Sequence, residues 1–183
     1  FAKASLPESF PTALATKGRA TKAAAYALGT RIHLFRKEYP QVVSDADMVT
    51  ASRGSELTVP YAELFLTKNS AESILEINFD SQIQNALATN FLPASLGGTR
   101  VVLVNPDILN AYEEGDLRKD ATFGFANNAN YMKKYSRGNT RDDNVILFRL
   151  AEVLLNKAEA LAEISYPDQD AIDLLNEVRS RAG

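Results

Sequence analysis

Apolar positions recur every three or four residues at both ends of the chain, and only briefly in between. Near the end, Leu147, Leu150, Ala151, Leu154, Ala158, Leu161 and Ala162 form one stripe, and this spacing predicts a helix. Arg149, Glu152, Asn156, Lys157 and Glu159 occupy the opposite face. After a break at Ser165, Tyr166 and Pro167, Ala171, Leu174, Leu175, Val178 and Ala182 repeat the pattern. Asp168, Asp170 and Asp173 open this second helix and Arg179 and Arg181 close it, the order that the helix dipole favours. Ala151, Ala158 and Ala171 are small enough to let two helices cross closely, so residues 144–183 read as a helical hairpin. Upstream, Ala20, Ala24, Ala27, Leu28 and Phe35 keep helical spacing, and Pro40 opens a second run with Val43, Ala46 and Val49 as its stripe. Residues 19–50 therefore form a first hairpin. Gly29 within it costs about 1 kcal/mol relative to alanine, and is read as admitting another helix closely.

Residues 51–143 lack such regularity. PYAELFL predicts a short helix, and Leu75, Ile77 and Phe79 alternate with Glu76 and Asn78 as a half-buried strand does. Gly97 and Gly98 mark a loop, and Asp107 to Glu114 a helix with Gly115 as its C-terminal cap. Phe123, Phe125 and the run Tyr131 to Tyr135 are extended around NNAN, which is turn chemistry. Asp143 or Asn144 is placed to cap the final hairpin. The chain is thus mainly α, with helices at both ends and an irregular, partly extended middle, and residues 1–183 are read as one domain.

A chain of 183 residues can bury a sufficient core. It holds no cysteine, which excludes disulfides and thiolate metal sites. The net charge of -3, from 20 basic and 23 acidic residues, leaves no basic surplus for a nucleic-acid backbone. No apolar run approaches the ~18 residues of a membrane-spanning helix. The chain begins at Phe1 rather than Met and reads as a piece of something longer.

Candidate chemistry is sparse. Neither phosphate-cradling glycine loop nor HExxH occurs, and the single histidine, His33, reads as structural. The pairs Glu113 with Glu114 and Asp142 with Asp143 read as a solvated face and as loop capping, and neither as a catalytic pair. Glu152 and Glu159 share a helix face and are expected to pair with Arg179 or Arg181. No catalytic residue, metal ligand or cofactor is assigned. Among the aromatics of the middle region, Phe123, Phe125, Tyr131 and Tyr135 are the candidates for stacking on a sugar or another flat ligand. Tryptophan, a favoured residue for that purpose, is missing from the chain.

RLAEVLLNKAEALAE followed by AIDLLNEVRSRAG resembles the paired signature of the SusD/RagB family, R-x-A-E-hydrophobic-L-x-x-A-E-A and then L-N-x-hydrophobic-R-x-R-A-G. The matching positions are Arg149, Ala151, Glu152, Leu154, Ala158, Glu159 and Ala160, then Leu175, Asn176, Val178, Arg179, Arg181, Ala182 and Gly183. Lys157 departs from a position that is often aromatic. GRATKAAAYALGTRIHLF, AESILEINF and DILNAYEEGDLRKDATF also resemble family segments, so the likeness runs from about Arg19 to the end. The resemblance implies tetratricopeptide-like helical hairpins (an α-α superhelix) as scaffold, with loops as ligand surface. It further implies a non-catalytic glycan- or nutrient-binding lipoprotein at the surface of the outer membrane, held by a lipid anchor not present in this chain. Its partners would be an oligosaccharide and a TonB-dependent transporter of the SusC type. The other reading is a tetratricopeptide-like scaffold for protein interaction, without glycan binding.

Overall fold

The computed structural model describes residues 2–53 and 57–183. In chain order the helices are α1 (Ala2–Ser5), α2 (Ala13–Lys17), α3 (Lys22–Phe35), α4 (Tyr39–Arg53), α5 (Tyr61–Leu64), α6 (Leu87–Phe91), α7 (Pro106–Asn110), α8 (Leu117–Thr122), α9 (Leu150–Ile164) and α10 (Gln169–Ser180). Between them lie the strands β1 (Ser73–Ile77), β2 (Phe123–Ala126), β3 (Ala129–Met132) and β4 (Val145–Arg149). They fall into two compact units.

The first unit takes the described residues up to Thr58, together with Asn69–Ile77 and Ile146–Arg181. It is the helical scaffold. The Thr21 hydroxyl caps α3 by accepting from the Ala24 amide. Ala23, Ala24, Ala27 and Thr30 are then its buried face, against Val42, Ala46 and Val49 of α4. Small side chains on α3 bring the two backbones together, and the larger Leu28, Ile32 and Phe35 are left outside, with Phe35 91% exposed. The stripe expected through Leu28 and Phe35 is therefore not the packed one. At Gly29 a methyl group would overlap the Asp45 carboxylate, so this glycine makes room for a charged side chain of α4. Asp45 is buried and receives a hydrogen bond of 2.6 Å from Lys3, while the His33 ring lies between Glu38 at 2.6 Å and Asp45 at 3.6 Å.

Helix α9 packs on both α4 and α10. Leu150, Ala151, Leu154 and Ala158 are buried as their spacing predicts, and Val153 and Ala160 are buried as well because a central helix has two covered sides. Leu147, expected in the same stripe, belongs to β4, and Arg149 ends that strand. The strand β4 pairs with β1. In β1 Ser73, Ile74 and Glu76 are buried, Leu75 is half-buried against the core and Ile77 is exposed, so the expected alternation with Leu75 and Ile77 inward does not hold. Ile74 joins Phe148, Leu150 and Leu154 in the core, which turns Glu76 inward to accept the Asn69 amide at 2.9 Å.

Glu72, just before β1, is the polar centre of this unit. Its carboxylate is buried and accepts from Arg149 at 3.0 Å and from Arg181. These arginines come one from each signature segment. Glu152, expected to meet the arginines of α10, instead takes a two-pronged hydrogen bond from Arg31 of α3, at 2.7 Å on each oxygen.

The second unit comprises Val59–Lys68, Asn78–Val145 and Ala182–Gly183. Two of its short helices carry side-chain caps: Asn105 accepts from the Asp107 amide at α7, and Asp116 from the Arg118 amide at α8. Helix α7 stops at Asn110, shorter than predicted, and Gly115 at φ +87° serves the turn into α8 instead of capping α7. The segment Val101 to Leu103 forms no strand and is exposed.

Candidate functional site

In the second unit β2 and β3 form an antiparallel hairpin in which Phe123 faces Met132, Gly124 faces Tyr131, and Phe125 faces Asn130. Asn127 and Asn128 fill the turn at φ 51° and 57°, the two left-handed positions of a type I′ turn that asparagine tolerates. Strand alternation puts Phe123 and Phe125 on one face of the ribbon and Tyr131 on the other. The Tyr131 ring lies against Gly124 so closely that any side chain at 124 would overlap its phenol end.

Tyr131 forms part of the wall of an open cleft of about 900 Å³. Leu92 and Leu96 supply apolar lining, Leu117 and Asp120 come from α8, and Lys133 and Asn139 add polar groups. The loop from Ser136 to Thr140 contributes five consecutive lining residues. It is fixed by Asp143, which is buried and accepts the Arg137 amide at 2.8 Å and its guanidinium at 3.1 Å. The same guanidinium donates to the Leu66 carbonyl at 2.6 Å. Asp142 accepts from Lys68 at 2.6 Å and from the Thr140 hydroxyl. The Lys68 bond, then that of Thr140, hold the Asp142 carboxyl below the usual carboxylate range. Asp143 and Asn144 therefore do not cap α9; Asn144 instead joins the Phe79 amide to Asn78.

Main chain packs on main chain at Gly98 and Gly138. A methyl group at Gly138 would overlap the Leu96 carbonyl, one at Gly98 the Leu92 carbonyl, and Gly97 holds φ +80° beside Asn139.

Of the four expected ring positions, Tyr131 alone lines this cleft. Phe123 packs edge-on against Tyr112, with centroids 5.9 Å apart at 81°. Phe125 is 67% exposed near the hairpin turn. Tyr135 is half-buried, and desolvation, reinforced by Asp143, pushes its hydroxyl above the ordinary tyrosine value. Glu113 and Glu114 are exposed. The cleft itself is drawn from five separated segments, and no spacing in the sequence connects them.

Residues 109–183 match the SusD family model (SusD_RagB). None of the curated proteins compared with the chain matches it. Among solved structures, a SusD superfamily protein from Parabacteroides distasonis superposes with a TM-score of 0.80 at 24% identity, over 97% of this chain and 46% of that one. A SusD-like carbohydrate binding protein from Bacteroides vulgatus gives 0.80 at 20% identity, over 99% and 40%. The surface glycan-binding protein A from Bacteroides thetaiotaomicron, solved in complex with laminarihexaose, gives 0.76 at 21% identity, over 97% and 50%. The fold is that of these solved structures, and both signature segments lie within the residues that match the SusD family model. The chain spans about half the length of the structures it matches.

Proposed function

We propose that this protein binds a glycan or a similar nutrient without transforming it. The observation that carries the reading is the Tyr131-walled cleft in a SusD fold. An aromatic face and leucine side chains suit the apolar C–H faces of a sugar ring, and Lys133, Asn139, Ser136 and Thr140 suit its hydroxyls. Among similar folds, one is solved with laminarihexaose, which makes that oligosaccharide the first probe. Phe125, exposed at the hairpin end, is the next ring proposed to contact ligand, with Phe123 and Tyr135 behind it. We place the whole protein at the outer-membrane surface, held by a lipid anchor and acting with a TonB-dependent transporter of the SusC type.

Calorimetric titration of the full-length protein against laminarihexaose and a panel of other oligosaccharides tests this, alongside co-purification from membranes. Saturable binding and a co-purifying transporter are expected. No binding to any glycan, together with no transporter, overturns the reading. One observation favours the interaction-scaffold alternative: a groove of about 380 Å³ between α9 and α10, walled by Leu155, Ala162, Tyr166, Ile172 and Leu175. A soluble polypeptide recovered in place of a transporter would decide for it.

A further inference from the structure

We propose that Arg100 is a positioning residue of the cleft, a strut that holds the Tyr131 ring at a set distance from the Leu92 surface. This rests on the reading of the cleft as the ligand site. The Arg100 amide donates to the Leu92 carbonyl at 3.0 Å, which fastens the residue to one wall. Its side chain crosses to the other. There Nη2 donates to the Ala126 carbonyl at 2.7 Å, at the end of β2, and the guanidinium lies 5.9 Å from the Tyr131 ring centroid.

Two local costs meet at this residue. Its φ is +45°, a left-handed conformation that a side chain of this kind adopts at a penalty. Its Nε is buried and has no hydrogen-bond partner. Strained or unsatisfied groups persist where the surroundings fix them, and such places concentrate where a geometry must be held for function. Neither wall needs Arg100 for its own structure. The hairpin has its strand ladder and its type I′ turn, and the turn after α6 is closed by the Leu96 and Gly98 amides on the Pro93 carbonyl. What Arg100 adds is the connection between them. A planar guanidinium donates sideways while presenting its face to a ring; a lysine ammonium does one or the other.

The test uses 3-fluorotyrosine in the full-length protein and fluorine NMR. With seven tyrosines in this chain, Tyr131→Phe identifies the line to follow. Arg100→Asn keeps a residue that accepts left-handed backbone while removing the guanidinium; Arg100→Lys keeps the charge and serves if the first variant does not fold. The Tyr131 line is expected to shift and broaden in both variants, more in Arg100→Asn, with the other lines in place and a cooperative melting transition retained. Any oligosaccharide bound by the wild type should bind about three- to tenfold more weakly to Arg100→Asn, the equivalent of freeing one ordered side chain. An unchanged Tyr131 line overturns the proposal, and so does a displaced line with unchanged affinity. If no glycan binds the wild type, the cleft is not the ligand site, and the fluorine line alone decides whether Arg100 positions the ring.

Discussion

At the scale of single residues, the packed interior is shaped as much by charges as by apolar side chains. Lys17 is the clearest case. Its ammonium is half-buried and donates to the Ser70 carbonyl, and burial, helped by Arg53 and opposed by Glu76, lowers its pKa from 10.5 to about 8. Because the folded value lies below the unfolded one, the unfolded chain binds more protons between pH 8 and 10.5. The cost of burying the charge is complete below about pH 8 and is relieved as pH rises toward 10.5. Urea denaturation should therefore show stability rising across this window in the wild type, and a smaller rise in Lys17→Met. Parallel slopes for the two proteins would mean that Lys17 keeps its ordinary pKa in the fold. Residues of this sort hide well from sequence reading. Glu76 looks like the outward member of an alternating strand, and Gly29 like a helix-crossing point; each is explained by a charged group brought inward, one its own carboxylate and the other that of Asp45.

Among the elements, the final hairpin was the most legible, because Leu150, Leu154 and Ala158 carry a helical period that nothing contradicts. Its beginning was not. VILFR is apolar and runs straight into the stripe of α9, so periodicity alone cannot separate the strand from the helix; pairing with β1 separates them. The turn at Asn127 and Asn128 was readable because two asparagines in succession suit left-handed backbone. Leu154→Ala should cost about 2–5 kcal/mol, since Leu154 is fully buried, and Leu154→Asp more. For a protein of this size that lowers the melting temperature by roughly 4 °C or more; an unchanged transition would show the stripe to be uncovered. The Glu72 cluster makes a separate prediction. Glu72→Ala leaves the Arg149 and Arg181 guanidinium groups without their common acceptor, and should cost about 3 kcal/mol by thermal or urea unfolding. A loss under ~1 kcal/mol would show that solvent or other groups satisfy both arginines equally well.

For the molecule as a whole, the helical scaffold and the proposed ligand surface are written in different ways. The scaffold follows from spacing, and its signature arginines acquire a physical role in gripping Glu72. The cleft has no motif, because α5, the turn after α6, α8, β3 and the loop at 136–140 meet only in three dimensions. The four aromatic candidates of the middle region therefore carry no spacing that ranks Tyr131 above its neighbours. The cleft supplies the proposed ranking. Tyr131→Ala should weaken oligosaccharide binding by about tenfold with little change in melting temperature. Phe123→Ala should weaken binding less and lower the melting temperature more, since its ring packs edge-on against Tyr112. Calorimetry and thermal melts on the two variants check this, and equal effects on affinity would move the site away from the cleft.

The glycine contacts at 98 and 138 bear on how the proposed binding surface can diversify. Where main chain touches main chain, no side chain is present to be exchanged, so that part of the wall is closed to mutational drift. Ser95, Lys133 and Asn139 stand on the same cleft. Changes of ligand preference among proteins built on this frame should accumulate at positions like these three, which makes them the natural sites for a saturation library.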